Sequence, residues 1–281
     1  MSLTVNTNMA ALVAQRSLFN ANTDLSTSMQ RLSTGIRINS AGDDAAGLSL
    51  SKKITVQVSA AEIAKQNAQT GINMIQTAES DLDVIQNNLQ RMRDLSVQAA
   101  NGVYSTAERK MINAEFVARS VEIDRIAKSS SFSDKKLLDS SVTGANLYLQ
   151  VGTNATADDR IDVISAFKNF TGTSGNMLGV TPQAITTVAF AYNAISAIDK
   201  AMTTVSTTRG SMGAMINRLQ GSITRIDTRK ENMNAAFGII TDADIARESA
   251  DLTRNQILKQ TAISMLQQAN SAPQAALTLL R

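Results

Sequence analysis

The chain has 281 residues, 43% of them hydrophobic but only 4% aromatic, with two Pro, fourteen Gly and no Trp, Cys or His. The missing thiols and imidazoles exclude disulfides, Cys or His nucleophile–base chemistry and Cys/His metal centres. Lys and Arg exceed Asp and Glu by three, and the charges are interspersed, so there is no basic footprint for nucleic acid; no long apolar run is present to insert into a membrane.

Met1–Asn6 lacks a basic segment followed by an apolar one, so no cleaved secretory signal is expected; on that feature alone the chain reads as cytoplasmic. A first helix is predicted from the small and apolar positions Ala11, Ala14, Leu18, Ala21, Leu25, Met29, Leu32 and Ile36. Their spacing is that of a heptad seam with one stutter, between Leu25 and Met29. Asn39–Asp44 breaks it, and Asp43 or Asp44 can cap the next helix. That second helix is predicted over residues 45–100, with Ile72, Ile75, Leu82, Ile85, Leu89 and Met92 along one side. At ~1.5 Å per residue such a helix is a rod of roughly 80 Å, the scale of a coiled-coil bundle. Asn101-Gly102 should close it as a C-terminal cap, and Ser105-Thr106-Ala107-Glu108 opens a third helix running to Lys128.

From Ser129 the pattern changes. Residues 147–151 and 160–164 alternate at period two around a polar turn and predict a β-hairpin. Residues 171–182 are rich in Gly, Ser and Thr and read as a surface loop. Helix should resume near Pro182 and continue to about Ala236, and a last helix should occupy 242–280. The expected fold is mainly α: a long-helix coiled-coil bundle with a small β-hairpin region near 137–165. Residues 1–45 carry three basic and three acidic groups and residues 239–281 carry four of each. Neutral, Ala/Leu/Gln-rich helices of this kind gain stability by packing, so the N- and C-terminal helices are expected to pair with each other or with other chains.

Chemistry-bearing motifs are sparse. The acidic pairs Asp43-Asp44, Asp158-Asp159 and Asp242-Ala243-Asp244 sit at predicted turns, where caps are commoner than metal or acid–base sites. Arg209–Gly213 lacks the lysine and spacing of a phosphate loop. The twelve methionines fall at helical core spacing, and two Asn-X-Thr sequons, at Asn154 and Asn169, are short enough to arise by chance. Neither a catalytic residue nor a cofactor site is expected.

Longer motifs are more specific. Thr4–Asn8, Arg31–Leu48, Asn88–Asn101 and Glu122–Ile126 resemble the N-terminal signature of bacterial flagellins. Met265–Asn270, Pro273-Gln274 and Leu279–Arg281 resemble their C-terminus, so the likeness spans both halves in order. The resemblance implies a terminal coiled-coil domain, residues 1–45 with 239–281, lining a filament channel. It also implies a helical rod domain, 46–238, with outer domains absent. One departure is Phe237-Gly238-Ile239, where the family carries polar residues.

The resemblance further implies a secreted structural subunit that polymerises into the flagellar filament for motility. Candidate polymerisation residues are Leu18, Leu25, Met29, Leu32, Leu258, Met265, Leu266, Leu277 and Leu280. Implied partners are other copies of the chain, a flagellin export chaperone, and the hook-associated and cap proteins. Toll-like receptor 5 is a further implied partner, gripping positions that match Leu89, Gln90, Arg91, Arg93, Leu95 and Gln98, with Glu115 on the next helix. Solvated charges and a buried seam are the plain alternative for that stretch. A hook–filament junction protein or a non-polymerising helical scaffold are the competing functions.

Overall fold

A computed structural model describes residues 8–139, 147–168, 170 and 185–279, with the side chains of 165 and 272–279 excepted. The expected loop at 171–182 and the helix start at Pro182 lie outside these residues. Five helices carry the described chain: α1 (Met9–Thr34), α2 (Ala45–Ala100), α3 (Thr106–Ser129), α4 (Val188–Thr241) and α5 (Ile245–Leu279). Two antiparallel hairpins separate α3 from α4. One pairs β1 (Ser131–Phe132) with β2 (Lys135–Lys136); the other pairs β3 (Tyr148–Gln150) with β4 (Arg160–Asp162). The chain divides into two compact units, 59–230 and 1–58 with 231–281.

In the unit 59–230, α4 places Ala191, Ala194, Ile198, Ala201, Val205, Thr208, Met212, Met215 and Leu219 inward at alternating steps of three and four. That is a coiled-coil seam. Thr208 fits it because its hydroxyl donates to the Thr204 carbonyl at 2.8 Å, which removes the cost of burying it. The core is completed by Leu82, Ile85, Leu89 and Met92 of α2, Phe116 and Ile123 of α3, and Leu137, Val151, Ile161 and Phe167 from the hairpin region. The period-two alternation predicts this hairpin, and its register is Tyr148↔Asp162, Leu149↔Ile161 and Gln150↔Arg160. This hairpin approaches α2 at Gly71, where a Cβ would lie 2.1 Å from Leu149 Cδ1. Asn67 Nδ2 fastens it further by donating to the Gln150 carbonyl.

Helix ends follow local chemistry. Ser105 and Glu108 form the expected capping box at the start of α3. Gly102 does not act as the expected left-handed cap of α2: Gly35 is the described glycine with positive φ. Instead the buried Arg109 side chain donates to the carbonyls of Ala99, at 2.9 Å, and Asn101, at 3.0 Å. A guanidinium thus satisfies the helix-end acceptors that a glycine turn satisfies elsewhere.

Candidate functional site

The terminal unit is built on the α1–α5 pair. Asn8 joins the two ends: its Oδ1 caps α1 by accepting the Ala11 N–H, and its Nδ2 donates to the Ala269 carbonyl of α5 at 2.7 Å. The inward stripe of α1 is Ala11, Ala14, Leu18, Ala21, Leu25, Ser28 and Leu32, an uninterrupted heptad. The expected stutter at Met29 therefore does not occur. Ser28, small enough to bury, holds the position, and Met29 is 59% exposed. On α5 the corresponding stripe is Leu252, Asn255, Lys259, Ala262, Leu266 and Ala269. Leu258 and Met265, read from sequence as seam residues, point outward instead.

Small residues at the seam leave the larger apolar groups outside. An open groove of about 930 Å³ runs along the pair, lined by Met9, Val13, Ala14, Leu258, Ala262 and Met265 among others. Leu12, Phe19 and Ile257 are exposed elsewhere on the same two helices. The polymerisation candidates thus fall into two sets. Leu18, Leu25, Leu32 and Leu266 are half-buried in the seam; Met29, Leu258 and Met265 face out. The Leu277 side chain and Leu280 lie outside the described residues.

The connectors that lead out of α1 and into α5 are bonded to each other. Gly35 takes φ 70° and ends α1, allowing Ile36 to bridge Asp242 in antiparallel fashion. Arg37 N–H donates to the Thr241 carbonyl at 2.6 Å, Arg37 Nη2 to Ile240 at 2.7 Å, and Ala243 N–H to Gly35 at 2.9 Å. Two of the three acidic pairs serve these turns. Asp44 caps α2 through the Gly47 N–H, and Asp244 caps α5 through the Ala246 and Arg247 N–H groups. Asp43 accepts the N–H groups of Asn39 and Ser40 and the Ser40 hydroxyl, which holds its carboxyl below the usual range. In the divergent stretch Phe237-Gly238-Ile239, Ile239 is 84% exposed. A Cβ at Gly238 would come within 2.8 Å of Asp242 Oδ2.

On α2, Arg91 and Arg93 reach opposite neighbours. Arg91 makes a two-pronged contact with Glu115 of α3, Nε to Oε1 at 2.8 Å and Nη2 to Oε2 at 3.0 Å. The carboxylate raises the Arg91 pKa, and the guanidinium lowers that of Glu115. Arg93 Nε donates to Asp199 of α4 at 2.7 Å. Leu89 and Leu95 are buried, so Leu95 presents no outward face beside Arg91. Gln90 and Gln98 are exposed, bonded to Asp94 and Tyr104. Sequence reading missed the cross-helix pairs Lys65–Asp227, Lys230–Glu62 and Arg209–Asp83, which join α2 to α4. Their partners are more than a hundred residues apart, beyond the reach of any i,i+4 rule.

Comparison with known proteins gives these surfaces a context. The family description "Bacterial flagellin N-terminal helical region" matches residues 5–143, and "Bacterial flagellin C-terminal helical region" matches 195–280. A flagellin of Halalkalibacterium halodurans is 40% identical over 278 residues, covering 99% of both chains. The flagellar filament 33 kDa core protein of Treponema phagedenis is 38% identical over 289 residues, again covering 99% of both. The crystal structure of Bacillus cereus flagellin overlaps 61% of this chain and 94% of that one, at 27% identity and a TM-score of 0.49. Matches at both ends and relatives aligned along nearly the whole length place the chain among the bacterial flagellins, as a structural subunit of the flagellar filament and not an enzyme.

Proposed function

We propose that the outer apolar surface of the α1–α5 pair is the principal contact between copies, and that the terminal unit lines the filament channel. The observation that carries this is the groove bordered by Met9, Val13, Leu258 and Met265, on helices whose mutual seam is mostly alanine and half-buried leucine. Apolar area of this kind is stabilised by removal from water, at about 25 cal/mol per Å². A contact that repeats between different surfaces without closing yields a helical polymer. Secretion through the flagellum-specific export apparatus follows from this reading, with an export chaperone shielding α5 beforehand and the hook-associated and cap proteins bounding the polymer. The test replaces Val13 or Met265 with Asp. Polymerisation should fail while helical content is retained. Normal filaments from both variants would remove the groove from the contact.

A second surface supports recognition of the monomer by Toll-like receptor 5. Arg91 and Glu115, with side chains half and 38% exposed, form a preorganised charged pair beside Gln90 on the unit 59–230. Leu89 and Leu95 contribute by positioning α2 rather than by contact. An arginine held in place suits an interface anchor. Arg91→Ala should weaken receptor activation by monomer by roughly 2 kcal/mol if it is such an anchor. An unchanged dose–response from a folded variant would exclude Arg91.

A further inference from the structure

The turn between α2 and α3 contains the sole Asn–Gly pair in the chain, Asn101-Gly102. Both residues are exposed. Asn101 Oδ1 accepts the Val103 N–H at 3.1 Å, which folds the side-chain amide back along the following backbone and polarises its carbonyl. Among the described residues, the Gly102 N–H donates to no group. A Cβ at Gly102 would meet nothing within 4 Å, so the turn has open space around it, and glycine places no side chain in the way of its own nitrogen. An activated carbonyl and an unengaged nitrogen therefore stand four bonds apart along the chain in a water-exposed turn, so that one new bond between them closes a five-membered ring.

We propose that Asn101 is a site of spontaneous, backbone-assisted deamidation. The Gly102 nitrogen gives up its proton to water or hydroxide and attacks Asn101 Cγ. The new C–N bond forms, the Cγ–Nδ2 bond breaks, and Nδ2 leaves as ammonia after taking a proton. Water then opens the five-membered imide at either carbonyl, leaving aspartate or isoaspartate; no oxidant, metal or second protein takes part. No other asparagine is followed by glycine. Asn88 is buried, its amide donating to Val84 and accepting from Arg119, and Asn39 donates to the Ile36 carbonyl.

Arg109 gives the reaction a structural consequence. Its Nη2 already rests on the Asn101 main-chain carbonyl, and among the described residues Arg109 makes no ion pair. In the isoaspartate product the main chain runs through the former side chain and that carbonyl becomes a carboxylate. The new charge is then formed against a guanidinium, and the α2–α3 turn gains a methylene.

The experiment incubates the full chain in mildly alkaline buffer and follows each asparagine by peptide mapping and isoaspartyl methyltransferase labelling. Gly102→Ala and Asn101→Gln variants are compared, together with a synthetic peptide of residues 95–108 as an unstructured control. Residue 101 should convert faster than every other asparagine, with isoaspartate the main product. Conversion should slow at least about tenfold in Gly102→Ala, where a Cβ hinders the nitrogen, and vanish in Asn101→Gln. Circular dichroism confirms that the variants fold. An intact Asn101 in the folded chain while the peptide converts would overturn the proposal, as would equal rates in wild type and Gly102→Ala.

Discussion

Arg109 carries more of the α2–α3 turn than its place in the sequence suggests. It is 9% exposed, has no ion-pair partner among the described residues, and spends two donors on the main-chain carbonyls of Ala99 and Asn101. Arg109→Met keeps much of the stem's packing but strands those acceptors. A charged donor contributes about 1.5–3 kcal/mol per bond, and water at the exposed Asn101 end recovers part of it. The urea midpoint should therefore drop by an amount equivalent to roughly 1–3 kcal/mol with an unchanged slope. A midpoint equal to wild type would show that the carbonyls need no side-chain donor. The surface pairs behave differently. Glu62, Glu115 and Glu122 are each held below the ordinary glutamate value of 4.5, mainly by hydrogen bonds from Lys230, Arg91 and Arg125 respectively. A carboxyl lowered in the folded state contributes stability that is fully present above its unfolded pKa and lost as pH falls through the folded one. Stability contributed by these pairs should accordingly be flat above about pH 5 and decline on acidification below the ordinary glutamate value. Replacing all three by Gln should flatten that decline; an equally steep one would assign it to other groups. Each pair is exposed, so the effect per pair is small and weakens with added salt.

Among elements, the close approach of the β3–β4 hairpin to α2 depends on a glycine. Gly71 is buried, with Leu149 and Leu219 in front of it. Two effects oppose each other on substitution. Alanine gains up to about 1 kcal/mol of helix propensity, while its Cβ displaces only the flexible tip of Leu149. Gly71→Ala should therefore be close to neutral. Gly71→Leu must place an isobutyl group where the hairpin sits, and overpacking of that kind costs about 1–3 kcal/mol. Thermal unfolding of the two variants, and of Gly71→Leu combined with Leu149→Ala, separates these terms. Failure of the second substitution to restore stability would mean that the hairpin is not what Gly71 accommodates. The same elements mark what the sequence makes legible. Periodicity located the five helices because apolar side chains repeat on one face of each. It misplaced the α1 seam at Met29 because it passed over Ser28, a polar residue small enough to bury. On α5 it preferred Leu258 and Met265 to the Asn255 and Lys259 positions that line the pair, since hydropathy does not report which stripe faces a neighbour. The β1–β2 hairpin escaped notice because Ser133 and Asp134 adopt left-handed conformations, φ 44° and 64°, without the glycine that usually signals such a turn. Of the candidate surfaces, Arg91, Arg93 and Glu115 were legible as residues. Their partner choice was not, because it depends on how α3 and α4 pack around α2.

At the scale of the whole molecule, the two units hold their folds by unequal means. The unit 59–230 has a continuous core with fully buried Phe116, Leu82, Ile85, Leu89, Met92 and Met212. Among the described residues of the terminal unit, the buried apolar side chains are Ala14, Ala21, Ile38 and Ala262. Three of those four are alanines, and burying a methyl contributes only about 0.8 kcal/mol, against a backbone ordering cost of about 1–2 kcal/mol per residue. Helices with so thin a seam are marginal in water unless another surface covers them. The monomer should therefore exchange its α1 and α5 amide hydrogens far faster than those in the middle of α2, and polymerisation should slow the exchange of both. Removing residues 242–281 deletes α5, exposes the α1 stripe from Ala11 to Leu32, and takes away the Ala243–Gly35 bond and the Ile36–Asp242 bridge of the connector, while Arg37–Thr241 remains. The core of 59–230 loses nothing, since none of its residues comes from α5. The truncated chain should keep a cooperative, strongly helical transition by circular dichroism and should form no filaments by electron microscopy. Long filaments from that variant would place the essential contacts on the unit 59–230 rather than on the terminal pair.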